Sequence, residues 1–221
     1  MWCIAKGEDA SFVAAMEDIL DLYCQPYDEA YPVVCMDEKP YQLLGEAREP
    51  IPMCPGKPRK VDAEYVRNGT CSIFVFSEPL RGWKYAHARQ RRTKVDWAIE
   101  IRWLLKERYP QAKKVRLVSD NLNTHVISAL YEAFPAPEAR ELAKRLKMHH
   151  TPKHGSWLNI AEIVISILAR QCLCRRIPSL DQLAQELMAW NLLSNTAQMP
   201  INWHFTSDDA RIKLKRLYPS L

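Results

Sequence analysis

The order of its periodic segments is what most limits how this chain can fold. Strand-type runs come first and then alternate with helical ones. "YPVVCMDE" and "YQLLGE" read as two short strands separated by a turn at Lys39-Pro40. "TCSIFVFSEPL" comes after them as a third strand, its β-branched and aromatic run suiting a central place in a sheet. Between them "REPIPMCPGKPRK" carries too many prolines for regular structure. From there the pattern alternates. "RRTKVDWAIEIRWLLKERY" has the period of an amphipathic helix with Val95, Ala98, Ile101, Trp103, Leu104 and Leu105 inward. "KKVRLVSD" is a fourth strand. "THVISALYEAF" is a helix capped at Asn123 or Thr124, "PEARELAKRL" another helix, and "KMHHTP" a fifth, short strand.

A helix from Trp157 to Ala169 comes next, with Pro178 marking the end of that region. A further helix spans Ser179 to Leu193, and the basic "DDARIKLKRLY" closes the chain. Ahead of the strands, "DASFVAAMEDILDLYCQPY" is a helix capped by Asp9. Strands in a run and then in alternation imply an α/β chain: a mixed five-stranded sheet with helices on both faces. The divisions expected are a helical lead-in at 1–30, a core at 31–178 and a helical extension of the same domain at 179–221.

Charge is distributed unevenly. Residues 1–50 carry a balance of −8 and residues 51–221 one of +13, so the body of the chain suits a polyanionic partner such as double-stranded DNA. Seven scattered cysteines without a CxxC pair argue against a disulfide framework or a zinc finger, and for a reducing cytoplasm. No apolar run approaches the roughly 20 residues that span a bilayer, so no membrane association is expected. The absence of a glycine-rich phosphate loop excludes nucleotide hydrolysis of that type.

Chemistry is carried by acids in unusual places. "PVVCMDE" runs into Asp37 and Glu38, and "VRLVSD" into Asp120. Functional groups gather beyond strand ends in α/β sheets, although aspartate also starts turns. Glu162 stands in "HGSWLNIAEIVISILAR", a segment apolar nearly all round and therefore expected to be buried. A buried carboxylate requires a partner. Either an arginine such as Arg170 supplies it, or a cation shared with Asp37 and Asp120 does. All-oxygen ligands favour Mg²⁺ or Mn²⁺, and two such ions flanking a phosphate are the basis of phosphodiester chemistry. Side chains alternate along a strand, so Asp37 and Glu38 face opposite ways, and the sequence alone does not choose between them.

These blocks resemble a known family. "CMDEKPYQL", "VSDNLNTH" and "HHTPKHGSWLNIAE", with the closing "WHFTSDDARIKLKRLYP", are similar to the acidic blocks of DDE transposases, specifically bacterial insertion-sequence transposases of the mariner-related superfamily. The resemblance implies a ribonuclease H-like fold and selects Asp37, Asp120 and Glu162 as the catalytic, metal-binding triad, holding Mg²⁺ or Mn²⁺ as two ions. It also implies cleavage at element ends, then transfer of the 3′-hydroxyl strand into target DNA. The partners implied are element-end and target DNA and a second copy in a homodimer. An N-terminal helix-turn-helix portion, encoded in another frame, is a further implied partner, because this chain begins too late to contain one. The location implied is the bacterial cytoplasm, at the nucleoid. Two alternatives stand beside this: a ribonuclease H-fold nuclease that only hydrolyses, and a non-catalytic DNA-binding or assembly module.

Other candidates surround the triad. Glu38, Asn121 and His125 could orient a ligand carboxylate, and Asn123 suits a cap. Lys153, His154 and Trp157 in "HHTPKHGSW" suit phosphate and base or sugar contacts better than a zinc site, with Trp157 equally suited to the core at a helix start. Lys57, Arg59 and Lys60 in the proline-rich loop, and Arg89, Arg91, Arg92 and Lys94 at a helix start, are candidate contacts to the DNA backbone, though charge runs are usually solvated faces.

Overall fold

A computed structural model of the chain describes residues 7–220. Its sheet has five strands in the order β3-β2-β1-β4-β5: β1 (Val33–Glu46), β2 (Tyr65–Glu78), β3 (Trp83–Arg89), β4 (Val115–Ser119) and β5 (Leu146–His150). The first three pair antiparallel, whereas β1–β4 and β4–β5 are parallel. Seven helices accompany it: α1 (Ala10–Tyr23), α2 (Lys94–Trp103), α3 (Ser128–Ala133), α4 (Ala136–Arg145), α5 (Ala161–Gln171), α6 (Leu180–Thr196) and α7 (Ser207–Lys213). The expected mixed sheet with helices on both faces is present.

Alternation along the strands divides the core. Val34 and Met36 of β1 and Phe74 and Phe76 of β2 point toward Trp97, Ile101, Leu104 and Leu130 on one face. Val33 and Cys35 point the other way, toward α1 and Leu158, while Ile73 and Val75 meet Val164, Leu168 and Leu187 of α5 and α6. Both faces are therefore apolar, as a sheet covered twice requires.

The strand count agrees with expectation for a compensating reason. The two strands expected on either side of Lys39-Pro40 are one continuous strand of 14 residues, with Pro40 opposite Ser72. Beyond Cys35 no β4 residue pairs with β1, so Pro40 sits where β1 has a single neighbour, and a missing N–H is tolerated there. β3 is a strand that the pattern conceals, because Lys84 and His87 interrupt its apolar run. Lys84 is nonetheless buried, its Nζ donating to the carbonyls of Gly82 at 3.0 Å and Met199 at 3.3 Å.

Helix boundaries differ locally. α2 starts behind a capping box of Thr93 and Asp96 and continues as a π-helical turn, Leu104–Arg108. Val95, expected inward, is 42% exposed, and Trp97 fills the core instead. α3 begins at Ser128 with no side-chain cap, since residues 121–127 form turns before it, so neither Asn123 nor Thr124 caps it. α5 begins at Ala161 behind a 3-10 turn, Ser156–Leu158. No described helix is long and apolar enough to cross a membrane.

β3 is an edge strand, and α6 closes it with side chains. Asn191 accepts from the Ala86 N–H at 2.8 Å and donates to the Ala86 carbonyl at 3.0 Å. Asn195, one helical turn on, does the same for Lys84 at 2.9 and 2.7 Å. The two amides thus stand in for a neighbouring strand, and an edge left open would invite pairing with another chain. Asn195→Ala strands both Lys84 backbone groups, at a cost of about 1–3 kcal/mol, which should lower the melting temperature by roughly 3–8 °C. The exposed Leu192→Ala on the same helix should leave it within about 2 °C in the same thermal scan.

Candidate active site

The parallel pairing of β1 with β4 sets the site. Cys35 lies opposite Val118. Asp37 and Asp120, each two residues further on, therefore leave neighbouring strands at the same level and on the same face. After β5 the chain returns to this point through a tight turn. The Gly155 N–H bonds the Pro152 carbonyl at 2.8 Å, and His154 takes a left-handed backbone conformation (φ 67°). A Cβ on Gly155 would lie 2.6 Å from the Pro152 ring, so glycine is required there. Tyr23 secures the 3-10 turn after it, its hydroxyl donating to the Leu158 carbonyl at 2.7 Å.

Asn159, only 1% exposed, then joins the pieces. Its Nδ2 donates to the Met36 carbonyl at 2.9 Å and to Asp37 Oδ2 at 3.2 Å, while its Oδ1 accepts from the Ala161 N–H at 3.1 Å. One amide therefore fixes the Asp37 carboxylate and opens α5, whose first turn carries Glu162. Sequence reasoning passed over Asn159. Its position at a helix start, three residues before a glutamate, is the capping signal that could have found it.

Glu162 itself corrects the expectation. It is exposed, and α5 buries only Ala161, Val164 and Leu168 on one side, so no buried charge requires a partner. Nor does Arg170 serve Glu162, because its guanidinium donates to Ser166 at 2.7 Å.

Asp37 and Asp120 differ in surroundings. Asp37 is pushed up to about 7, chiefly by burial and further by the negative charges of Glu162 and Asp120, against the Glu38 N–H donating to it at 2.7 Å. Glu38 faces the opposite side of the sheet and is buried there. Between Glu38 and Asp120 lies His125, with no exposed surface: Nδ1 is 2.6 Å from Asp120 Oδ1 and Nε2 is 3.1 Å from Glu38 Oε1. Burial alone would lower the His125 pKa, but its hydrogen bonds to Asp120 and Glu38 and their charges carry it to about 9. Of the two nitrogens, Nε2 is hydrogen-bonded to Glu38, while Nδ1 lies against the Asp120 carboxylate and within 3.4 Å of the Asp120 carbonyl.

The remaining candidates divide into exposed and engaged residues. Lys57, Arg59 and Lys60 are exposed on the loop between β1 and β2, as are Arg91, Lys153, His154 and Asn121. Arg89 is held by the buried Glu100, its Nε donating at 2.5 Å, with His87 on the same oxygen at 2.8 Å. Lys94 pairs with Glu132 at 2.8 Å, and Arg92 approaches Glu38 Oε2 to 4.0 Å. Trp157 packs edge-on to Phe205, their centroids 5.9 Å apart. With Trp203, Asn159, Glu162, Ile163, Ser166 and Arg170, Trp157 lines a groove of about 390 Å³ that runs away from Glu162 along α5. Trp203 is fixed by its Nε1 donating to the Phe205 carbonyl at 2.7 Å.

This donor set suits a hard cation in kind, being all carboxylate, with Asp37 raised by like charges that a cation would relieve. Among the described residues, however, no three His, Cys, Asp or Glu side chains are gathered tightly enough to hold one ion.

Residues 32–184 match the family model described as DDE superfamily endonuclease. The chain belongs to that family. Solved structures agree on the fold. The mariner Mos1 paired end complex with Mg matches over 100% of this chain and 66% of its own, at 15% identity and TM-score 0.60. The catalytic domain of Mos1 mariner transposase matches over 87% and 88%, at 12% identity and TM-score 0.56. The Mos1 paired end complex with Mn matches over 87% of this chain at 15% identity and TM-score 0.55, and the chain spans 60% of that protein's length. No curated protein matches significantly. The ribonuclease H-like fold expected of a DDE endonuclease is thus the fold found.

An acid whose pKa rises on folding favours the folded state at low pH, and that advantage disappears as pH climbs from about 4 through 7. Asp37→Asn should therefore raise the melting temperature of the chelator-treated protein by roughly 3–8 °C near pH 8, the gain shrinking to nothing near pH 4.

Proposed function

We propose that the chain is the catalytic part of a DDE transposase, cutting DNA at the ends of an element and joining the freed 3′-hydroxyl to target DNA. One observation carries the reading. Asp37 and Asp120 each stand two residues past the last pair of the parallel β1–β4 ladder, and Glu162 on the covering helix is near enough for its charge to raise Asp37. Within a chain of the DDE endonuclease family, three acids in that relation are the natural seat of phosphodiester chemistry. Asp37, Asp120 and Glu162 would hold Mg²⁺ or Mn²⁺, which when bound polarises the phosphoryl oxygen and makes a water or 3′-hydroxyl a better nucleophile. Related Mos1 complexes were solved with those metals and with paired ends, which supports divalent ions and a homodimer holding two DNA ends here.

The chain's own residues supply the rest. Asn159 holds the Asp37 carboxylate in one orientation, so the nucleophile's position does not have to be found at each encounter. The groove beside Glu162 takes the nucleotides next to the scissile phosphate, with the Trp157 and Trp203 indoles meeting bases and Arg170 a phosphate. Lys57, Arg59, Lys60, Arg91 and Lys153 are exposed cations, and His154 an exposed side chain, available to the flanking backbone. Arg89 and Lys94, paired within the protein, are weaker candidates for DNA.

The test is Mn²⁺-dependent nicking of supercoiled plasmid, together with joining of a duplex oligonucleotide bearing a free 3′-hydroxyl. Asp37→Asn, Asp120→Asn and Glu162→Gln should each reduce both products by at least ~10³-fold while leaving DNA binding in place. Nicking without joining would favour the purely hydrolytic nuclease. DNA binding with no metal-dependent product from any of the four proteins would favour the non-catalytic module. Because the acids are not gathered beforehand, Mn²⁺ affinity measured by calorimetry should be weak for the protein alone and rise about tenfold or more with a DNA end present.

A further inference from the structure

His125 sits where two questions meet: what holds Asp120, and why a carboxylate is buried at Glu38 behind the site. The imidazole has no exposed surface and is packed against the Trp97 ring, 5.9 Å between centroids and 28° from parallel. Nε2 is hydrogen-bonded to Glu38 Oε1 at 3.1 Å, and Nδ1 lies 2.6 Å from Asp120 Oδ1 and 3.4 Å from the Asp120 carbonyl. Glu38 is likewise shut in, its side chain 2% exposed, and its second oxygen has only Arg92 for company, 4.0 Å away. A buried carboxylate of this kind costs several kcal/mol unless a charged partner answers it. Apolar residues of similar volume would pack the same space without that cost. The arrangement therefore does something besides filling the core.

What it joins is informative. Glu38 belongs to β1, directly after Asp37, and faces the opposite side of the sheet. Asp120 leaves β4. Past Cys35 and Val118 the two strands no longer pair, so their backbones alone do not fix how far apart the two acids stand. His125 spans that gap from behind. The turn bond from the His125 N–H to the Leu122 carbonyl at 3.0 Å holds the imidazole in place.

We infer that Glu38 and His125 are positioning residues, a carboxylate–imidazole–carboxylate brace that sets the Asp120 carboxylate relative to Asp37. Glu38 orients the ring, and the ring orients Asp120, leaving the other Asp120 oxygen for the substrate side. The brace rests on the reading of Asp37 and Asp120 as ion-holding acids. It differs from the usual arrangement around a metal, in which a carboxylate orients a metal-bound histidine, because here the histidine orients the carboxylate. Neither residue touches the DNA.

The experiment compares the unmodified protein with Glu38→Gln, His125→Gln and the double variant in the presence of a DNA end. Mn²⁺ affinity is read by calorimetry and strand joining by kcat and KM. Glu38→Gln is nearly isosteric, and melting curves confirm that each variant is folded. Glu38→Gln should lower Mn²⁺ affinity and kcat by about tenfold and leave KM for DNA unchanged. The double variant should lose no more than His125→Gln alone, because Glu38 acts only through the ring. Full Mn²⁺ affinity and kcat in a folded Glu38→Gln or His125→Gln protein would overturn the brace, leaving the trio a structural tether. Losses that simply add in the double variant would overturn the relay from Glu38 through His125. Absence of Mn²⁺ uptake by the unmodified protein with DNA is a different failure: it removes the reading of the acids, and the brace with it.

Discussion

Three residue pairs between β1 and β4 determine where everything else at the site can be. Val33, Val34 and Cys35 run parallel to Arg116, Leu117 and Val118, and because the side-chain period of a strand is two, that register alone decides which acids share a face. A slip of one residue would send Asp37 to the side of Trp97 and bring Glu38 to the side of α5. The apolar alternation forbids it. Val34 and Met36 would leave one core for the other, and neither core is shaped to receive them. The hydrophobic effect, acting on residues with no chemistry of their own, thus holds the carboxylates in their places.

Much of this was legible in the sequence, though unevenly. The strand before Asp120 is visible because its β-branched run stops abruptly at a charge, whereas the strand expected to end at Asp37 runs on to Glu46; the mixed sheet is implied by the order of patterns. The family likeness selected Asp37 over Glu38, and the fold gives the physical reason those two differ: one faces α5 and the other the opposite core. β3 was invisible because Lys84 and His87 break the period, and only the folded chain shows that backbone carbonyls receive the lysine. The break expected at Pro40 was a reasonable inference from a residue that usually interrupts strands, and it failed because β1 has one neighbour there.

Glu162 teaches a different lesson. Its helix looked buried all round because Ile163, Ile165 and Ile167 fill the sequence between the residues that pack. In the fold Ile163 is 43% exposed, and the argument from buried charge falls away. The residue still stands near Asp37, by virtue of Asn159 and not of burial. What places a side chain matters here as much as what surrounds it. Here the answer is an amide that bonds β1 with one end and α5 with the other, a link between residues 37 and 159 that no local pattern announces.

The pairing of Asn191 and Asn195 with β3 has an architectural consequence. Ordinarily the width of a sheet is limited by a strand that nothing further can join. Here a helix imitates that next strand with two side chains, spaced by one helical turn against two residues of extended backbone. A turn rises about 5.4 Å and two strand residues about 6.6–6.8 Å, so helix and strand keep step for one such interval and then drift apart. The seal is accordingly local. It holds only while α6 lies along this stretch of β3, so the sheet's outer boundary belongs to the C-terminal part of the chain and not to the strands that the sheet contains.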